Sequence, residues 1–287
     1  MQPFDYARPG DLAEAVALLN AHEGARLLAG GTDLTVGLRD GKITPTLVID
    51  LKRLADLPPS ITEADGRVHI SATTVLAEIV AHGSVRRQFP ALVEAADVVG
   101  SIQIRNRATL AGNIANASPA ADTVPALVVY GASVVLRGPG GERQLPIAEF
   151  ILGNRRTALT RGELVTAVTI PLPQRPLGTA FARMTRRRGV DLATINLCCR
   201  LDRHGHVAFA YGAVAPKPLL VHDQSGALAD PTASPAQKDA ALDTLLAQAT
   251  PITDVRASAE YRLAMLRVLS KRALHRATAQ LATTEDR

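Results

Sequence analysis

Two glycine-bearing turns constrain most strongly what this chain can fold around. The first lies in residues 27–34, where Gly30 and Gly31 follow an apolar segment and precede Thr32. The second is a longer run, residues 109–122, rich in small and polar side chains. Glycine lets main-chain N–H groups approach a ligand closely, and short hydroxyl, amide and carboxylate side chains can bind sugar alcohols. The two turns therefore predict a site for a large ligand that carries phosphate and sugar groups.

The first turn has the features of an anion site. Residues 26–29 are predicted to form a short buried strand, and a helix is predicted to begin near Asp33. Consecutive N–H groups and the positive end of that helix would then converge on one spot. A tight turn capped by Thr32 or Asp33 would give the same pattern in any α/β protein, so both interpretations stay open.

The second turn is harder to explain as structure alone, because it has almost no bulky side chains. Such a stretch cannot bury enough apolar surface to order itself, yet its apolar flanks place it inside the protein. We expect a polar loop that a bound ligand completes. The chain has neither the G-x-G-x-x-G fingerprint nor a complete P-loop, so these two phosphate motifs are excluded.

The composition excludes several other functions. Only 3% of the 287 residues are aromatic, and the net charge of +5 accompanies no recognition motif, so nucleic-acid binding is not expected. The two cysteines, Cys198 and Cys199, are adjacent and give no iron–sulfur or zinc spacing, so we expect no metal on this chain. No apolar run reaches the roughly 20 residues of a membrane span. With no secretory signal visible, we expect a cytoplasmic protein.

The sequence predicts two domains. The first, residues 1–175, would comprise two lobes, residues 1–56 and 57–175, which a Leu-Pro-Pro segment separates. Three prolines near residues 171–176 mark the join to the second domain, residues 176–287. There an alternating hairpin is followed by alanine- and leucine-rich helices.

At both turns the sequence resembles the FAD-binding, medium subunit of the molybdenum hydroxylases, the family that includes xanthine dehydrogenase. The resemblance extends over about residues 3–280. It implies an α+β fold: a two-lobed FAD-binding domain of the vanillyl-alcohol oxidase (PCMH) type, followed by a small C-terminal domain of a three-stranded antiparallel sheet plus helices. Two positions depart from the family pattern, since Ala108 and Ala111 replace glycines that are common in its second motif.

The resemblance also implies which residues bind the cofactor. Gly30 and Gly31 would donate backbone N–H groups to the FAD diphosphate. Asp122 would accept hydrogen bonds from sugar hydroxyls, and Arg183 would place a positive charge near the flavin. The alternative is that Arg183 belongs to a solvated or subunit-facing cluster with the arginines of residues 186–188. The full implied set is Leu28, Ala29, Gly30, Gly31, Thr32, Asp33, Leu34, Val99, Thr109, Gly112, Asn113, Asn116, Ser118, Asp122, Leu164, Val165 and Arg183.

The function that the resemblance implies is electron transfer within a heteromeric oxidoreductase. Substrate would be hydroxylated at the molybdopterin cofactor of a large subunit. Electrons would pass through [2Fe–2S] clusters of a small iron–sulfur subunit to FAD on this chain, and then to NAD+, oxygen or another acceptor. The expected assembly is a dimer of heterotrimers, and no side chain of this subunit need be catalytic because the flavin carries the redox chemistry. Two alternatives stay open: a self-contained FAD-dependent oxidoreductase of the same fold superfamily, and a scaffold that has lost its flavin.

Overall fold

The structure, a computed structural model that describes residues 2–285, contains three β-sheets of three to five strands and a further two-stranded sheet. The three larger sheets follow one another in chain order. The first sheet belongs to a βαβαβ unit made of β1 (Asp5–Ala7), α1 (Leu12–Ala21), β2 (Arg26–Leu28), α2 (Leu34–Arg39) and β3 (Leu47–Asp50). Its strands are parallel in the order β1-β3-β2. The sequence predicts the strand and helix on either side of the first glycine turn, and β1 lies at one edge of this sheet.

The second sheet has five antiparallel strands and carries most of the helices. Its segment comprises β4 (Ile61–Ala64), β5 (Arg67–Ser71), α3 (Leu76–Ala81), α4 (Gly83–Gln88), α5 (Pro90–Asp97), α6 (Ile102–Arg105), α7 (Leu110–Ala115), α8 (Thr123–Val129), β6 (Ser133–Gly138), β7 (Gly141–Pro146), α9 (Ile147–Phe150), β8 (Ile151–Gly153), β9 (Arg156–Thr157) and β10 (Leu164–Pro171). The strand order is β4-β5-β10-β6-β7, while β8 and β9 pair separately. The long strand β10 lies at the centre of this sheet because it pairs with both β5 and β6.

The third sheet is antiparallel and is followed by two helices. Its elements are β11 (Leu177–Met184), β12 (Ile195–Asp202), β13 (Val207–Gly212), β14 (Leu219–His222), α10 (Pro235–Leu246) and α11 (Ala259–Glu285). The strands follow the order β11-β12-β13-β14, so the sheet has one strand more than the resemblance implies. Among residues 2–285, no helix is both long and apolar enough to cross a bilayer.

Helix starts follow local hydrogen-bonding rules. The Asp11 carboxylate accepts from the Glu14 N–H at 2.8 Å and so caps α1, as its D-x-x-E pattern predicts. The Glu14 carboxylate reaches the Gly10 N–H instead of that of Asp11, so the reciprocal half of the capping box is displaced by one residue. At α10 both halves form between Ser234 and Gln237.

The third sheet is buried on both faces, which joins the two halves of the chain. Strand β12 alternates: Ile195, Leu197 and Cys199 pack in the core formed with α10 and α11. Cys198 points the other way, into the core of the second sheet, together with Phe181. Because β11–β13 separate these cores, apolar packing fixes the third sheet against α5 and α8.

Strand β11 approaches α11 closely at Gly178, which gives a test of this packing. An alanine Cβ at Gly178 would lie 2.0 Å from the Ala277 carbonyl oxygen, a main-chain atom that cannot rotate away. We expect Gly178→Ala to lower the free energy of unfolding in urea by about 1–3 kcal/mol. Gly153→Ala adds the same methyl group where nothing lies within 4 Å, so it should leave that free energy unchanged or slightly higher. Equal values for the two variants would contradict the close packing.

Candidate functional site

The first glycine turn joins the end of β2 to the start of α2 and leaves its main-chain donors free. The N–H groups of residues 30–33 donate no hydrogen bond to any other part of the chain between residues 2 and 285. Gly31 has φ +76°, a left-handed conformation that favours glycine, and an added Cβ would meet Leu28 at 2.6 Å. Around these glycines, Leu28, Ala29, Thr32 and Leu34 are half-buried, and Asp33 is exposed.

The two glycine turns meet through their main chains. A Cβ at Gly30 would lie 2.1 Å from the Arg107 carbonyl oxygen and 2.8 Å from the Ala108 Cα, so no side chain fits between them. On its other side the second turn is fixed by the Leu76 N–H, which donates to the Ala108 carbonyl at 2.8 Å. The residue that follows, Thr109, therefore begins its helix directly beside the free N–H groups.

The second turn contains helix α7, so the expectation of a polar loop throughout is wrong. The Thr109 hydroxyl caps this helix by accepting from the Gly112 N–H at 3.0 Å. Ala111 lies inside α7, where the right-handed backbone accommodates a Cβ without strain. Ala108 also has a negative φ. Neither position that departs from the family pattern therefore requires glycine.

Polar side chains of the second turn bond to the protein itself. The Asn113 Oδ1 accepts from the Thr123 hydroxyl at 2.7 Å, which joins α7 to α8. The Asn116 Oδ1 contacts the Arg155 guanidinium, and the Ser118 hydroxyl accepts from a main-chain N–H two residues later at 3.3 Å. These bonds hold the turn in shape, so each of the three side chains has a structural role besides any contact with a ligand.

A buried ion pair links the second turn to the third sheet. Asp122, immediately before α8, accepts from Arg183 Nη1 on β11 at 2.8 Å. The family resemblance implies that these residues contact separate parts of the cofactor, and the structure brings their side chains together. Burial raises the pKa of the Asp122 carboxyl, although hydrogen bonds from Asn196 and the charge of Arg183 oppose that rise. Two further lone pairs of the carboxylate remain for a ligand hydroxyl.

Asn196 on β12 belongs to this site and is missing from the sequence prediction. Its Nδ2 donates to the second oxygen of Asp122 at 2.9 Å, and its side chain is fully buried. The Asn196 Oδ1 has no hydrogen-bond partner within residues 2–285 and lies where a Cβ on Gly212 would be. A single amide between Ile195 and Leu197 in a buried strand is a signal that could have identified it.

The remaining predicted residues, Val99, Leu164 and Val165, are half-buried or buried. Val99 is half-buried in the turn after α5, and its carbonyl accepts from Arg105 Nη1 at 3.4 Å. Leu164 is completely buried in the core beneath the first sheet, so it presents no surface to a ligand. Its neighbour Val165 points into the core of the second sheet. We therefore retain Val99 as a candidate contact and leave Leu164 out.

The arrangement fits a phosphate-bearing ligand that lies along a surface. Four free N–H groups in a row, two of them on glycines, suit a diphosphate. Two cavities, of 260 and 230 Å³, lie elsewhere and are not lined by the glycine turns. Within the described part of the chain, no cluster of three or more His, Cys, Asp or Glu side chains is arranged to hold a metal ion.

The ion pair between Asp122 and Arg183 can be tested by a double-mutant cycle. Asp122→Asn, Arg183→Gln and the double variant should give a coupling energy of about 1–3 kcal/mol in urea unfolding without ligand, because both side chains are largely buried. The solvent-exposed pair Lys271–Asp239 is the control and should give about 0.5 kcal/mol or less. Equal coupling in the two cycles would show that the buried pair does not connect the domains.

Comparison with known proteins identifies a matching domain family for each half of the chain. Residues 2–173 match the family described as the FAD binding domain in molybdopterin dehydrogenase. Residues 179–277 match the CO dehydrogenase flavoprotein C-terminal domain. Together these two matches cover most of the sequence.

Individual relatives agree over nearly the whole length. The chain is 30% identical over 284 residues to the xanthine dehydrogenase FAD-binding subunit of Escherichia coli O157:H7, covering 96% of this chain and 97% of that subunit. It is 32% identical to the carbon monoxide dehydrogenase medium chain of Hydrogenophaga pseudoflava, covering 97% and 98%. The solved structure of reconstituted CO dehydrogenase from Oligotropha carboxidovorans superimposes with a TM-score of 0.90 at 33% identity, covering 97% and 99%. The chain therefore belongs to the FAD-binding, medium subunits of the molybdenum hydroxylases and is an oxidoreductase component.

Proposed function

We propose that this subunit carries electrons within a larger complex. Electrons released at a molybdopterin cofactor on a large subunit would reach it through [2Fe–2S] clusters of a small iron–sulfur subunit, and would leave FAD for NAD+, oxygen or another acceptor. The observation that supports this most directly is the row of free N–H groups at residues 30–33, packed against the main chain of Arg107 and Ala108. In this proposal the surface binds the cofactor, and another chain binds the substrate.

Each protein group at the site has a binding role in this proposal. Gly30 and Gly31 donate N–H groups to the diphosphate, and the capped start of α7 at Thr109 closes the other side. Asp122 offers its free lone pairs to a sugar hydroxyl, while Arg183 supplies a fixed positive charge. FAD, when bound, supplies the redox chemistry, because a flavin can exchange electrons singly or in pairs. No protein side chain has to transfer a proton to a substrate.

The partner subunits follow from the same proposal. Relatives of this chain are named medium chains of carbon monoxide dehydrogenases, and a medium chain implies a small and a large one. We assign the iron–sulfur clusters to the small partner and the molybdopterin cofactor to the large one, in a dimer of heterotrimers. The deep packing of β12 between two cores supports the view that this chain moves as one unit within such an assembly.

Purification of the complex distinguishes this function from its alternative. Co-expression with the small and large subunits should yield one complex that contains FAD, iron and molybdenum, and the isolated chain should oxidise no substrate. Mass photometry gives the stoichiometry, and metal analysis with flavin absorbance gives the cofactor content. A single polypeptide that binds FAD and turns over a substrate alone would instead support a self-contained flavin oxidoreductase. A colourless chain in the complex would contradict both.

Contact between the glycine turns should control FAD affinity. Gly30→Ala must push Arg107 and Ala108 away from the first turn, so we expect the Kd for FAD to rise about tenfold or more. Gly140→Ala, in a turn with nothing within 4 Å, should bind FAD as the unaltered chain does. Flavin fluorescence titration measures both, and thermal unfolding without FAD shows whether either variant is misfolded. An unchanged Kd in a folded Gly30→Ala variant would show that the cofactor lies elsewhere.

A further inference from the structure

Left-handed backbone conformations concentrate at the second glycine turn. In the part of the chain that the structure describes, the residues other than glycine with a positive φ are Asp65, Ala117, Arg155 and Ala213. Ala117 lies within the turn, and its carbonyl accepts from the Arg155 N–H at 2.9 Å. The Ala213 N–H donates to the carbonyl of Pro119 at 2.7 Å. A Cβ makes this conformation unfavourable, and such strain is typical of functional sites.

Arg155, between β8 and β9, contacts the second turn through both its main chain and its side chain. Besides the hydrogen bond from its N–H to Ala117, its guanidinium donates to Asn116 Oδ1. Glycine would form the same main-chain hydrogen bond at φ +57° without the cost of a Cβ. The backbone at this position therefore does not require an arginine, and the contact with Asn116 is what the side chain adds.

The guanidinium of Arg155 fixes the orientation of the Asn116 amide. A guanidinium carries only N–H donors, so the amide atom that faces it is the oxygen. The amide nitrogen then lies on the other side of the group. Among the described residues this nitrogen has no hydrogen-bond partner, and protein atoms do not enclose it. Asn116 therefore presents two free N–H groups to a ligand.

Asn113 has the same arrangement one turn earlier along α7. Its Oδ1 accepts from the Thr123 hydroxyl, and its amide nitrogen also has no partner within the described residues. Residues three apart lie on the same face of a helix, so the amides of Asn113 and Asn116 are neighbours. Helix α7 has six residues and is about 9 Å long. A dinucleotide whose diphosphate binds beside the start of α7, at residues 30–33, can therefore extend to both amides.

We propose that Arg155 is a positioning residue for FAD, which holds Asn116 so that its amide N–H groups donate to an acceptor oxygen of the cofactor. The inference rests on the proposed function, which places FAD at this turn. The positive charge at the amide oxygen also strengthens the two N–H donors, because linked hydrogen bonds polarise one another. If Arg155 only shaped its loop, its replacement would change the stability of the chain and not its selective affinity for FAD.

Arg155→Gly in the full-length chain separates the positioning role from a structural one. It keeps the N–H that contacts Ala117 and suits the positive φ, so thermal unfolding without FAD should stay close to that of the unaltered chain. It removes the contact with Asn116, so the Kd for FAD in a flavin fluorescence titration should rise about three- to tenfold. Asp65→Gly, at φ +51° in the turn between β4 and β5, is the matched control and should leave the Kd unchanged.

Asn116→Ala shows whether Arg155 acts through Asn116. This variant should weaken FAD binding by itself, and the addition of Arg155→Gly should raise the Kd no further. Arg155→Lys keeps a cationic donor and should retain part of the affinity. An unchanged Kd in Arg155→Gly, or full additivity with Asn116→Ala, would overturn the positioning role and leave the proposed function intact. An unaltered chain that binds no FAD would overturn both proposals.

Discussion

The close approach of Gly30 to the main chain of Arg107 and Ala108 is the constraint on which the site depends. It brings two segments that are distant in sequence to one place with no side chain between them. The first segment leaves four N–H groups unpaired at that contact. Unpaired donors near a buried surface are unfavourable unless water or a ligand satisfies them. The fold therefore maintains a row of main-chain donors that water or a bound anion can satisfy.

Hydrogen bonds connect the second glycine turn to the third sheet, which belongs to the C-terminal domain. Asp122 lies at the start of α8, on the second turn, while its partners Arg183 and Asn196 lie on β11 and β12. Burial raises the pKa of the Asp122 carboxyl, while the hydrogen bond from Asn196 and the charge of Arg183 lower it, so this pKa depends on contacts made by the third sheet. A displacement of the third sheet would weaken both opposing effects and raise the pKa of this carboxyl further.

Local patterns in the sequence predict much of the fold, and long-range contacts explain what they miss. Periodicity and proline positions identify α1, β3, β10 and the β12–β13 hairpin, because each depends on its own residues. They do not identify β1, β11 or β14, which all lie at the edges of their sheets. Both glycine turns are recognisable because glycine and small polar residues are locally conspicuous. Asn196 shows in the sequence only as a lone amide in a buried strand, because its partner Asp122 lies far away in the sequence.

Glycine is needed only where a side chain would collide with a neighbouring group. This explains how the chain can carry Ala108 and Ala111 where its family commonly has glycine. Only a Cβ that meets immovable atoms is excluded, and at Gly30 those atoms belong to the backbone. At Gly112 a Cβ would meet the Thr109 hydroxyl at 2.9 Å, a side-chain group that can rotate at the cost of a helix cap. Ala108 and Ala111 meet no such obstacle. The requirement for glycine is therefore concentrated in the first turn, while the second turn is constrained chiefly by the hydrogen bonds that shape it.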